Sequence, residues 1–221
     1  MTSALPALLP VLLLGFLTVT SVALSVPQLV RLIRSGDPAG LSGSSLLFGT
    51  ANYTAWSVYL AGAQAWGLLA ANLVASLVWY AVVALALRGL RPRRTWWVPA
   101  WWAVALASVA VLAPALLGAM LGFGSLLTYT PQAVGVWRAI SLAGVSPATW
   151  TLTAAEGLAW LAQSVRDGLA GGVLSGLIAT AAAGSVLLAL AVRGRAEDRS
   201  ERGHARHGAL AGEPVGPPLA G

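Results

Sequence analysis

Residues 27–59 read PQLVRLIRSGDPAGLSGSSLLFGTANYTAWSVY, and residues 131–160 read PQAVGVWRAISLAGVSPATWTLTAAEGLAW. The two stretches are 104 residues apart and share a register. Pro27-Gln28 falls on Pro131-Gln132, Val30 on Val134, Arg34 on Arg138, Ala39-Gly40 on Ala143-Gly144 and Ser42 on Ser146. Ala51 falls on Ala155 and Ala55-Trp56 on Ala159-Trp160; with Ser21 on Ser125 there are eleven identities over 36 positions. Alanine and valine coincide easily in an apolar chain. Proline, glutamine, arginine and tryptophan do not, so a fixed-register match at those types points to an internal repeat.

The surroundings of this repeat exclude most soluble classes. Of 221 residues, 57% are hydrophobic and 9% charged, against about 25% charged in an ordinary soluble domain. That much apolar side chain cannot be covered by so little polar surface. Disorder over most of the chain is excluded too, because it requires low hydrophobicity. There is no cysteine, and the two histidines, His204 and His207, both lie near the C-terminus. Disulfide scaffolds, thiolate metal sites, buried histidine cages and histidine-based triads are therefore ruled out. No phosphate-binding glycine loop is present. Enzyme activity, a cofactor and nucleic-acid binding have no support.

A hydrocarbon core about 30 Å thick needs about 20 apolar residues per helix. Seven runs qualify approximately: residues 5–33, 46–63, 65–87, 96–113, 116–136, 149–165 and 169–192. Pro27 is expected to kink or end the regular part of the first. The uncharged stretch 95–137 is too long for one span and is split at 113–118, where Pro114 and Gly118 suit a tight turn. With that split, Arg31, Arg34, Arg88, Arg91, Arg93, Arg94, Arg138, Arg193, Arg195, Arg199, Arg202 and Arg206 share one side, and Arg166 alone lies opposite. Positive charge gathers on the cytoplasmic side, which predicts the N-terminus outside and the C-terminus inside. The first run lacks the positive flank of a cleaved signal.

The expected fold is thus an all-α integral membrane protein of seven transmembrane helices in a 3+1+3 arrangement. Residues 5–87 form one three-helix repeat, 96–113 a linker helix, 116–192 the second repeat and 193–221 a disordered cytoplasmic tail. The linker restores the orientation that three crossings invert, so the repeats are parallel, related by an axis along the membrane normal. A bacterial-type plasma (inner) membrane is the expected location, and the lipid bilayer the expected surrounding. A homo-oligomer is compatible with this reading.

The quoted segments resemble the PQ-loop motif: Pro-Gln near a helix end, a basic residue, a short Gly-Leu-Ser loop, then a helix carrying Trp and Tyr. Two copies around a linker helix resemble the PQ-loop superfamily, and within it the SWEET-type sugar transporters, whose single-repeat bacterial relatives are called SemiSWEETs. The resemblance covers roughly residues 5–192. It implies a carrier that moves a small neutral solute, a sugar foremost, by alternating access. In such proteins a tryptophan on the second helix and an asparagine on the third line the sugar pocket, a pattern that Trp56 and Asn72 match.

Residue chemistry supplies candidates beside the resemblance. Asn52 lies one turn from Trp56 on the same helix face. An indole offers an apolar face to a ring, and an amide both donates and accepts. Trp160 matches Trp56 in the second repeat, whereas Asn72 falls on Gly176, so half of the paired amide recognition is missing. Glu156 is the only acid well inside a predicted span and aligns with Asn52. An intramembrane acid faces protein or water and marks proton or cation handling; the plainer reading is a neutral carboxyl bonded to Asn52 or a backbone carbonyl. Proton-coupled PQ-loop relatives of the cystinosin type also use acids in their helices. Pro27-Gln28 and Pro131-Gln132 are candidate hinges, since proline frees a carbonyl that glutamine could engage. Arg166 and Asp167 read as an interfacial ion pair or as solvated. Trp96, Trp97, Trp101 and Trp102 read as an interfacial anchor. Gly118/Gly122 and Gly172/Gly176 read as close-packing steps. No metal site is expected. Two other functions fit the pattern: a proton-coupled carrier of an amino acid or other polar metabolite, and a membrane receptor or scaffold that transports nothing.

Overall fold

Helix follows helix along the computed structural model, which describes residues 5–38, 41–90, 96–139, 142 and 145–210, with side chains described between 8 and 193. The elements are α1 (Leu5–Ser35), α2 (Gly43–Gly62), α3 (Trp66–Leu87), α4 (Trp97–Leu112), α5 (Pro114–Arg138), α6 (Pro147–Arg166) and α7 (Ala170–Leu210). The described residues contain no strand. Leu8–Ser35, Trp66–Leu87 and Ala170–Arg193 are long and apolar enough to cross a membrane, and α4 is apolar but shorter. Large apolar side chains such as Val19, Leu77 and Leu112 stand exposed on the outer faces, as lipid contact requires and water does not favour.

The helix boundaries repeat with the 104-residue offset. Gly43–Gly62 maps onto Pro147–Arg166, and the starts of α3 and α7 correspond. The physical cause is local. Ser42 and Ser146 both take extended backbone and cap their helices, accepting from the amides of Ser45 and Thr149, the N-cap arrangement that satisfies an orphan donor. At the other end, Gln64 and Gly168 both adopt left-handed backbone, with φ of 56° and 69°. Glycine takes that region freely, while glutamine is strained there. Gln64→Gly should therefore raise stability by about 0.5–1 kcal/mol. A thermal melt in detergent that shows no gain would contradict this.

Packing order follows the same rule. α3 packs on both α1 and α2, and α7 on both α5 and α6. The halves meet where α1 touches α6 and α2 touches α5, while α4 leans on α2 and α5. The third helix of each triple thus sits between the first two, and a space is left between the halves.

Two expectations change and two pairs of alternatives narrow to one. α1 does not end at Pro27 but continues to Ser35. One missing hydrogen bond is tolerated there because Leu32, beyond the proline, is buried with Leu46, Val82, Val83 and Ala86. The break between α4 and α5 is Ala113 alone, with Pro114 opening α5; Gly118 lies within α5 against the Tyr59 ring, not in a turn. α7 runs on to Leu210 where a disordered tail was expected from 193. The Ala, Arg and Glu of that segment are good helix formers that extend an already nucleated helix, against the cost of Gly194, Gly203 and Gly208. Of the two readings of Arg166 and Asp167, the solvated one fits: both are exposed, and the Asp167 carboxylate accepts from the Gln163 amide at 2.9 Å within one helical turn. Residues 211–221, the matched pairs at Ala39-Gly40 and Ala143-Gly144, and Arg91, Arg93 and Arg94 lie outside the described residues.

Candidate functional site

A cavity of about 780 Å³ occupies the space between the halves. α2 and α6 build it with equivalent residues. Asn52 and Trp56 come from α2, Glu156 and Trp160 from α6, each pair one turn apart on one helix face. Trp56 and Trp160 meet with ring centroids 5.7 Å apart. Matched residues can touch each other only near the axis that relates the repeats, so the tryptophan pair marks that axis.

Beyond the pair lies a closed apolar cluster. Leu17, Leu60 and Leu68 are fully buried there with Ala159 and Leu169, and Tyr59 packs edge-on to Trp56 at 5.6 Å. In the other direction the cavity reaches the first turns of α2 and α4, at Ser45 and Val98, and the last third of α5, at Gln132. The end it reaches is the one where α1, α3 and α5 finish, with Arg34, Arg88 and Arg138.

Glu156 lines the cavity and accepts a hydrogen bond from the Ser21 hydroxyl of α1. Asn52 lines the same cavity but is not its partner. The Asn52 carbonyl accepts from Trp102 Nε1 at 3.0 Å, which leaves its amide N–H groups as donors to the cavity. Trp102 also stacks on Phe48 at 5.4 Å. It therefore packs behind the lining residues Asn52 and Phe48 and is not part of an interfacial anchor. Trp97 and Trp101, one turn apart on a different face, are the exposed ones. Trp96 covers the start of α2, where a Cβ on Gly43 would lie 2.7 Å from its ring.

Asn72 lines the cavity yet is 5% exposed. Its amide donates to the Tyr53 carbonyl at 3.1 Å and to the Ser57 hydroxyl at 2.9 Å. Both donors thus tie α3 to α2. At the equivalent place in the second half, Gly176 sits on Gly157 and Leu161, which match Tyr53 and Ser57. A Cβ on Gly176 would lie 2.7 Å from the Gly157 carbonyl oxygen and the Leu161 nitrogen. The absent second asparagine has a steric reason: backbone contact replaces the amide tether.

The proline pairs differ between halves. Pro131 and Gln132 line the cavity, whereas Pro27 and Gln28 are not among the lining residues. Gln132 donates to the Thr128 carbonyl at 3.1 Å. That is not the carbonyl freed by Pro131, which belongs to Leu127 four residues before it.

Chemically, the site offers aromatic faces, amide and hydroxyl groups and one carboxyl. Among the described residues, no group of three His, Asp or Glu could hold a metal ion. The chain matches no family model and no curated protein sequence.

Proposed function

We propose that the chain is a membrane carrier that moves a small neutral solute, foremost a sugar, by alternating access between two three-helix repeats. The observation that carries this reading is the Trp56–Trp160 pair, which closes one end of a cavity lying between matched halves. Seven helices would span a bacterial-type plasma membrane, with the first end outside and the arginine-rich end inside, as the charge asymmetry requires. The PQ-loop and SWEET-like resemblance supports the same assignment, as does the packing order shared by the two halves. Rocking one half against the other would open the tryptophan end and close the arginine end. Direct coupling to ATP has no motif to support it.

Labelled-glucose counterflow into sealed proteoliposomes tests this. Wild type should exchange glucose, and Trp56→Ala should lower the rate at least about ten-fold, since it removes a ring platform worth about 1–2 kcal/mol together with the closing contact. Folded wild type that exchanges no glucose would argue against a sugar. A second reading, proton-coupled movement of a polar metabolite, is favoured by the carboxyl of Glu156 inside the cavity; flux driven by an imposed pH gradient and lost in Glu156→Gln would select it. A receptor on this fold would bind a ligand and move none.

A further inference from the structure

The cavity carries a group that a neutral solute does not need. Six of its lining residues are aromatic: Phe48, Tyr53, Trp56, Trp79, Tyr129 and Trp160. Glu156 is its one carboxyl, and no lining residue is Arg, Lys or His. The described arginines that end helices, Arg34, Arg138 and Arg166, lie away from this lining. A carboxyl at such depth is costly unless it is neutralised. The protein partner seen for it, the Ser21 hydroxyl, supplies a hydrogen bond but no charge. Neutralisation therefore comes from solution, as a proton or as a cation.

The surroundings discriminate between kinds of cation. A hard metal ion wants about six or more oxygen ligands. Here the carbonyl of Asn52, the residue equivalent to Glu156 in the first half, already accepts from Trp102. Aromatic faces instead attract ammonium groups through their quadrupole, and they cover the apolar body of an organic cation. A carboxylate beside such faces balances the charge of an amine, whereas a sugar hydroxyl offers it a hydrogen bond but no charge.

We propose that the cavity takes a small organic cation, an amine or quaternary ammonium with an apolar or aromatic body, whose charge sits at Glu156 and displaces that residue's proton. The balance is one for one. A protonated carboxyl and one cation give an ion pair inside and one proton in the water. Release on the other face runs the same step backward. The groups that face Glu156 leave it as the switching one. Ser21 faces it from α1, and Tyr53 from α2 and Tyr129 from α5 are near enough to feel its charge. Ser175, Gly176 and Ala179, which line the cavity from α7, do not titrate. Phenols stay neutral between about pH 5 and pH 8. This inference rests on the carrier reading for its two-sided access, but its binding step can be measured alone.

The probe is benzyltrimethylammonium, which has a fixed charge and an aromatic body. Full-length protein in nanodiscs would be titrated calorimetrically in two buffers of different ionisation enthalpy, so that the difference counts protons released. The expected result is proton release that approaches one per cation at pH 5, and an affinity at least about ten-fold weaker at pH 5 than at pH 8. Glu156→Gln should weaken binding at least about ten-fold and release no proton. Glu156→Asp, which keeps the carboxyl, should still release one. Equal affinity in wild type and Glu156→Gln, or binding at pH 5 without proton release, overturns the proposal. So does glucose counterflow that proceeds while no cation binds, in which case the carrier reading stands. Folded protein that neither binds the cation nor exchanges glucose overturns both.

Discussion

Gly171→Leu should leave little folded protein, with a loss of at least about 3 kcal/mol, above the usual range for overpacking. α7 meets α5 backbone to backbone: a Cβ on Gly171 would lie 2.6 Å from the Gly118 Cα, and one on Gly122 would lie 3.0 Å from the Gly171 carbonyl oxygen. The atoms in the way are main chain, so no side chain can swing aside. Relief would require the two helices to part, and α7 is also seated on α6 through Gly176 and Gly157. Small residues that let helices approach this closely are the main source of cohesion where lipid gives no hydrophobic drive between helices. Gly184→Leu is the matched control, because nothing lies within 4 Å of a Cβ there. It removes a helix glycine and should be neutral or slightly stabilising. The check is fluorescence-detected size exclusion after a heat ramp. A Gly171→Leu protein that melts within a few degrees of Gly184→Leu would refute the close seat.

How far the fold was legible in the sequence depends on which residues are asked. The match of Ser42 to Ser146 was readable in the sequence, but the helix ends it sets were not. Ser42 and Ser146 cap, and residues 64 and 168 turn left-handed, at the offset the repeat predicts. The grouping of Asn52, Trp56, Glu156 and Trp160 was readable because two helices related by a repeat present the same face to the same space. Trp102 was misread because four tryptophans in seven residues look like a belt, and only the helix phase separates 102 from 97 and 101. A signal existed, since 102 is one residue past an i, i+4 pair and so faces about 100° from 101 and about 140° from 97. Ser21 was seen as a repeat match to Ser125 but not as the partner of Glu156, because that contact depends on how α1 leans on α6. Helix–helix rotation of that kind leaves no periodicity in either segment. The replacement of Asn72 by Gly176 was visible as a departure. Its meaning, a backbone seat in place of an amide tether, needed the separation of α6 and α7.

Thr128→Cys should react with a membrane-impermeant maleimide at least about ten-fold faster in inverted membrane vesicles than in intact cells. The chain has no cysteine of its own, so any labelling reports the introduced thiol, and a thiol reacts only where it can ionise and be reached. Thr128 lines the cavity from α5. A reagent entering past the first turns of α2 and α4 reaches it directly, whereas one entering from the opposite end must pass the Trp56–Trp160 pair and the cluster around Leu17, Leu60 and Leu68. Leu60→Cys supplies the comparison, because its side chain is 0% exposed within that cluster, and an apolar surrounding holds a thiol inert. It should react slowly from both faces. The two variants together separate the geometry from the orientation. Fast labelling of residue 128 from outside would keep a cavity with one opening but invert the proposed topology. Equal labelling from both faces would sink the single opening, since the tryptophan pair would then not be closing the path. Added solute should slow the reaction at residue 128 if it occupies the cavity, and leave residue 60 unchanged. That ties the accessible space to the bound ligand in one measurement.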